Sequence, residues 1–224
     1  MSTLSQAEAT LHALGPSPFP IPLGPMAPVV EGAFMGMKKS DWVVCSMRER
    51  IGAVLRGCPP ERLVDGTAGA KPYKLAPCSE APGSRALHAV GLAKASGQPV
   101  LCFVGLASAA GGDFYEALNA TVLLAAPVIF LVTVQTLTDD APIGPQLATS
   151  PAKLAHAFGL QHSEVKANAA EVQSAVEAAR ATGLPALDGA AGGQGRGQAH
   201  WLIFSCFVKL VRIHSPQHGK YIQF

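Results

Sequence analysis

The stretch VGLASAAGGDFYEALNATVLLAAPVIF, residues 104–130, reads as a strand, a glycine-bearing turn, a helix and the start of a second strand. In parallel α/β sheets ligands bind at the carboxyl ends of strands, in the turns that lead into helices. Gly111 and Gly112 permit positive φ and close backbone approach, and the helix N-terminus beyond them favours an anion. A turn of this kind can hold a phosphate or a metal ion. Yet the sequence from Gly105 to Asp113 runs Leu106, Ala107, Ser108, Ala109, Ala110, Gly111, Gly112, with no carboxylate among them. By residue type the turn has two readings: an anion site, or a tight connection with no ligand.

The other residues that could do chemistry form no ligand set. Cys45, Cys58, Cys78, Cys102 and Cys206 are odd in number, widely spaced and without a C-x-x-C pair. That pattern argues against a disulfide framework and a zinc site, and fits the reduced thiols of a cytoplasm. His88 lies on an apolar helix pattern and reads as a core histidine, while His156 and His162 show no ligand spacing and read as solvent or core. Arg48 stands in a charged run with Glu49 and Arg50.

Bulk composition narrows the function classes. The 224 residues suffice for one domain with a sizeable core, or one domain with extensions. The chain is 49% hydrophobic and only 14% charged, which fits a surface covered by partner subunits or an alanine-rich composition. A net charge of +2 gives no electrostatic case for nucleic acid or an anionic membrane. The first residues, MSTLSQAEATLHALG, lack the basic start and apolar run of a secretory leader and the arginines of a transit peptide, so a cytoplasmic protein is expected. No apolar run is long enough for a bilayer.

The elements that must position the turn follow from caps and apolar runs. Residues 1–39 are proline-rich and predict an extended arm on a surface, or disorder. Ser40 caps a predicted helix that Gly57, Pro59 and Pro60 end, and residues 65–84 predict a loop. Ser84 opens a helix that Gly97 stops. Buried parallel strands are predicted near 99–105, 127–134, 163–167 and 184–188. Asp113 and Glu116 have the spacing of a capping box for the helix after the turn, as do Asn168 and Glu171 for a helix to about Thr182. Ser150 and Pro151 make an N-cap and N1 pair before a helix that Gly159 closes. The alternation implies right-handed crossovers and a three-layer α/β domain with a parallel sheet over residues 40–188. Residues 189–224 form a glycine-rich linker and an atypical tail that reads as an edge strand or a short docking helix, and its membership of the domain is open. The helix after the turn is apolar almost all round from Ala117 to Ala126, so its outer side needs a cover. A second copy, another subunit or the tail would supply one.

The order G-x-x-x-x-x-x-G-D-F-Y-E-A-L-N, an apolar helix and then P-V-I-F closely resembles the alpha subunit of thiamine-diphosphate-dependent 2-oxo acid dehydrogenases of the pyruvate, branched-chain and acetoin type. The likeness runs from about residue 40 to 187 and is most specific at residues 112–119. SMRERIGAVLRGCPPERLV, PGSRALHAVGLAKASG, AKLAHAFGL and NAAEVQSAVEAAR look like further helices of that family. The resemblance implies the thiamine-diphosphate-binding fold, a cofactor bridged by Mg²⁺, an α₂β₂ assembly and a beta-type subunit that supplies a glutamate to the cofactor.

The family's motif opens Gly-Asp-Gly and closes Asn-Asn at the end of the next strand. Aligned without gaps through Gly112, Glu116, Asn119 and Pro127, it falls here on Gly105-Leu106-Ala107 and Val134-Gln135. The resemblance thus places Arg48, Gly105, Leu106, Ala107, Gly112 and Gln135 at the cofactor positions, with Met47 where a tyrosine usually precedes the arginine. Leu106 has no oxygen for a metal, Gln135 is one methylene longer than Asn, and Ala107 adds a methyl group. The family's histidine loop has no counterpart in place, since RIHSPQH (residues 212–218) lies too far downstream. The leading expectation is a non-catalytic alpha-like subunit that binds neither thiamine diphosphate nor magnesium, as a homodimer or with a beta-type partner. The alternatives are an active alpha subunit needing a beta partner, and a small-anion-binding α/β domain.

Overall fold

The apolar runs Val100–Gly105 (β2) and Val128–Gln135 (β3) lie side by side and parallel, with Val100 opposite Val128. They belong to one sheet in a computed structural model that describes residues 3–13, 26–64, 70–77, 81, 83–135, 147–182 and 200–206. The sheet has five parallel strands in the order β1-β2-β3-β5-β4, with β1 Trp42–Val44, β4 Gln161–Val165 and β5 His200–Cys206. Alternation along β2 and β3 gives the sheet two buried faces. Leu101, Phe103, Ile129 and Leu131 join a core with helices Thr3–Ala13 (α1), Ala27–Gly36 (α2) and Ala169–Thr182 (α9), and with the 3₁₀ helix Glu49–Arg56. Val100, Cys102, Val104, Val128, Phe130 and Val132 join a second core with Ser84–Ser96 (α5), Gly112–Leu123 (α7) and Pro151–Ala157 (α8). Helices on both faces of a parallel sheet make the expected three-layer α/β architecture. Short helices Pro60–Val64 (α3), Ala70–Tyr73 (α4) and Leu106–Ala109 (α6) complete the described elements.

Several caps are as predicted. Ser150 Oγ accepts the Lys153 N–H at 3.3 Å with Pro151 in the first turn, and Asn168 Oδ1 accepts the Glu171 N–H at 2.9 Å. Glu171 reaches back to the Lys166 N–H at 3.1 Å rather than to Asn168's own, and that bond holds its carboxyl below the usual range. Gly57, Gly97 and Gly159 take positive φ at helix ends, where a side chain would be strained.

Other expectations are corrected. Within residues 1–39, 3–13 and 27–36 are helical, not extended: Leu4, Ala7 and Leu11 of α1 are buried, and α2 has Pro28 in its first turn. The prolines between the two helices fall outside the described residues. Gly32 and Gly36 bring α2 against α9, for an added Cβ at Gly32 would lie 2.3 Å from the Ala169 carbonyl oxygen. The helix predicted from Ser40 to Gly57 is instead a strand and a 3₁₀ helix, because the aromatic and β-branched run Trp42, Val43, Val44 pairs with β2. Arg56 of that 3₁₀ helix is buried, which pushes it down to about 10, and it donates to the Asp41 carbonyl at 2.7 Å and the Tyr73 carbonyl at 3.1 Å. The third strand spans 161–165 rather than 163–167, and the strand expected at 184–188 lies outside the described residues. In the tail, His200–Cys206 is neither edge strand nor helix: it pairs with β3 on one side and β4 on the other. A continuous apolar run, W-L-I-F, suits such an interior position.

Candidate functional site at the carboxyl edge

Parallel strands β1, β2 and β3 end on one edge of the sheet, and α5 begins there because it runs back before β2. After β1, the Ser46 N–H donates to Glu49 Oε2 at 2.9 Å, its hydroxyl also donates to that carboxylate, and Ser46 Oγ accepts the Arg48 N–H at 3.2 Å. Glu49 is thereby buried while Arg48 points to solvent. After β2, Gly105 is the extended N-cap of α6, and Leu106 opens that short helix half-buried with Ala107 exposed. Gly111 is the extended N-cap of α7, and Gly112 is its exposed first residue. Gln135 is the last residue of β3, two beyond Thr133, which pairs with Gly105. The fold therefore brings Arg48, Gly105, Leu106, Ala107, Gly112 and Gln135 to the same edge.

The turn itself is ordinary backbone. Gly105, Gly111 and Gly112 are not among the positive-φ residues, and nothing lies within 4 Å of a Cβ added at Gly112. Asp113 and Glu116 do not make the expected capping box, since α7 has no side-chain cap. Asp113 instead leans on the start of α5, where a Cβ added at Gly83 would lie 3.2 Å from Asp113 Oδ2. Asp113 still sits in the first turn of α7, where its charge suits the helix dipole.

A magnesium ion needs a near-octahedral set of oxygens. Leu106 offers none, Ala107 carries a methyl group, and the nearest carboxylate in sequence, Asp113, is turned to α5. Among the described residues no group of three or more His, Cys, Asp or Glu could hold a metal. The residues at this turn do not fit a diphosphate–magnesium pair. His88, expected in the core, is exposed, as are His156 and His162. RIHSPQH lies outside the described residues.

Two residues at this edge were missed by the sequence reading. Glu49 was signalled by the Ser46-x-x-Glu49 spacing, a capping box in its own right. Arg85 is 8% exposed and its Nε has no hydrogen-bond partner. A basic residue in the first turn of a helix opposes the dipole, and that was its only signal. Both charges act on the Cys102 thiol in the middle of β2. Burial pushes that thiol up to about 12, with Arg85 working against the shift and Glu49 with it.

No protein-family profile matches the chain. The chain is 30% identical over 171 residues to the 3-methyl-2-oxobutanoate dehydrogenase subunit alpha of Mycobacterium tuberculosis, in each of two strains, covering 70% of this chain and 47% of that protein. It thus spans about half the length of the curated relatives it matches. Among solved structures it is similar to a protein assigned as a thiamin diphosphate-dependent enzyme from Mycobacterium smegmatis, with a TM-score of 0.52 and 18% identity over 80% of this chain and 32% of that one. It is similar as well to benzoylformate decarboxylase from Polynucleobacter necessarius, with a TM-score of 0.54 and 19% identity over 86% of this chain and 34% of that one. At such identities the structural likeness is one of fold, and the sequence likeness narrows it: the chain is a distant homologue of the alpha subunit of branched-chain 2-oxo acid dehydrogenase.

Proposed function

We propose that the chain is a catalytically silent alpha-type subunit, cytoplasmic, which keeps the fold and the pairing surfaces of a 2-oxo acid dehydrogenase component without its metal chemistry. The observation that carries this reading is Leu106. It stands at the carboxyl end of β2 and opens α6, at the position where the aligned motif has the metal-binding Asp. An apolar side chain there is costly only if an ion must be held, and otherwise it packs. No catalytic step is assigned to the chain. Partner surface is supported on α7, which buries Phe114, Ala117, Leu118 and Thr121 but leaves Val122, Leu123 and Leu124 exposed at its far end, Leu123 by 75%. A second copy or a beta-type subunit would cover them.

The test is to mix the purified chain with a beta-type subunit of a branched-chain dehydrogenase, thiamine diphosphate and Mg²⁺. Co-elution without turnover of a branched 2-oxo acid is the expected result. Co-elution with turnover would establish an active alpha subunit and overturn the reading.

One observation favours a second reading, a small-anion-binding domain. Arg85 is a buried cation with an unpartnered Nε in the first turn of α5. Stabilisation of the chain by inorganic phosphate that is lost in Arg85→Gln would support it.

A further inference from the structure

Gln161–Val165 is one of the two terminal strands of the described sheet, bonded along one side to β5 and paired with no other described strand. Gln161, His162, Ser163 and Glu164 are exposed, and Val165 is half-buried against the core that holds α2 and α9. Successive strand residues alternate faces, so His162 and Glu164 share one face while Gln161, Ser163 and Val165 share the other.

An open edge is a template for any strand, and natural sheets blunt it with charge. This edge carries its acid and its histidine symmetrically about Ser163. Such an edge discourages most strands and complements itself. We propose that β4 pairs antiparallel with β4 of a second copy, about a two-fold axis through Ser163, so that two sheets join into one. In that register Ser163 faces its own copy, His162 faces Glu164 of the second copy, and Glu164 faces His162. Directly opposed side chains on one face of an antiparallel pair are roughly 4.5–5.5 Å apart at Cβ. An imidazole offers a ring N–H to a carboxylate in either protonation state. Moving the axis to residue 162 or 164 sets histidine on histidine or acid on acid, so the charges select one register. The interface is isologous and closes as a dimer.

The inference deepens the self-assembly side of the proposed function and is independent of the turn at Leu106. Its test uses the full chain with Ser163→Cys, and Ser174→Cys as a control at an exposed position on α9. Opposed residues of an antiparallel pair have Cα atoms roughly 4.5–5.5 Å apart, within disulfide reach. Under mild oxidation, peptide mapping should find the 163–163 disulfide forming at least about tenfold faster than 174–174, as proximity requires. Adding His162→Glu should remove that advantage, and adding Glu164→His as well should restore it. Equal rates, or a rate indifferent to His162→Glu, would overturn the proposal. A dimer in sedimentation that forms no 163–163 bond would also overturn it, placing self-association elsewhere and leaving the proposed assembly standing.

Discussion

Arg180 Nε donates to Asp41 Oδ2 at 2.5 Å, and Arg180 Nη2 lies 3.4 Å from Asp41 Oδ1, across 139 residues of sequence. Asp41 is 2% exposed and also accepts the Lys38 N–H at 2.8 Å. One carboxylate therefore ties the turn before β1 to the last turn of α9. Removing one partner of a buried pair strands the other charge, at about 3 kcal/mol or more. Asp41→Ala should lower the unfolding free energy read from urea denaturation by about that much, and Arg180→Ala by less, because Asp41 would keep the Lys38 N–H. Unchanged midpoints in both variants would contradict the pairing.

The contact of α2 with α9 predicts opposite signs for one substitution at two sites. At Gly32 an added Cβ would meet the Ala169 carbonyl oxygen at 2.3 Å and Val172 Cβ at 2.7 Å, whereas at the exposed Gly91 of α5 it would meet nothing within 4 Å. Gly32→Ala should cost about 1–3 kcal/mol through overpacking. Gly91→Ala should stabilise by about 0.5–1 kcal/mol, since the helix loses a flexible residue. Thermal unfolding of both variants checks the pair.

Cys102 sets an alkaline limit. Its thiol ionises near 9.0 in an ordinary setting but is pushed up to about 12 in the fold. As pH rises past about 9 the unfolded chain releases a proton that the folded chain keeps, so the folded state loses stability. Arg56, lowered to about 10, acts in the opposite sense only at higher pH. Between pH of about 9 and about 10, stability measured by urea unfolding should therefore fall more steeply in the parent than in Cys102→Ala. Parallel slopes would show that the thiol is not held in its neutral form.

The legible part of the fold was the part set by strong local signals. Residues 99–105 and 127–134 are apolar but for Thr133, and Ser150, Pro151, Asn168 and Gly159 act where their chemistry puts them. The illegible part depended on distant partners. Trp42–Val44 is a strand only because β2 lies beside it, and its three residues were masked by the helix-like signals of Ser40 and Gly57. His200–Cys206 sits after a glycine-rich stretch, and nothing local announces that it separates β3 from β4. The prolines before residue 26 hid α1 and α2, whose burial comes from packing on the 3₁₀ helix and α9. At the turn, the absence of any carboxylate from Leu106 to Gly112 was plain in the sequence. The burial of Glu49 and Arg85 around Cys102 was not, because it arises from three separate segments meeting.

Restoring the lost oxygens should restore affinity. Leu106→Asp, Ala107→Gly and Gln135→Asn together return two metal-binding side chains and remove a methyl group from the turn. The triple variant should bind thiamine diphosphate at least tenfold more tightly with Mg²⁺ than the parent does, a gain of about 1.4 kcal/mol. A variant that binds no better than the parent would show that the gapless alignment through Gly105 and Gln135 is wrong.

Calorimetric titration of the unaltered chain with thiamine diphosphate, with and without Mg²⁺, tests the loss of the metal site most directly. The predicted result is no Mg²⁺-dependent binding, with any residual affinity weaker than about 1 mM. Saturable Mg²⁺-dependent binding in the micromolar range would contradict it and return the chain to the active alpha subunits.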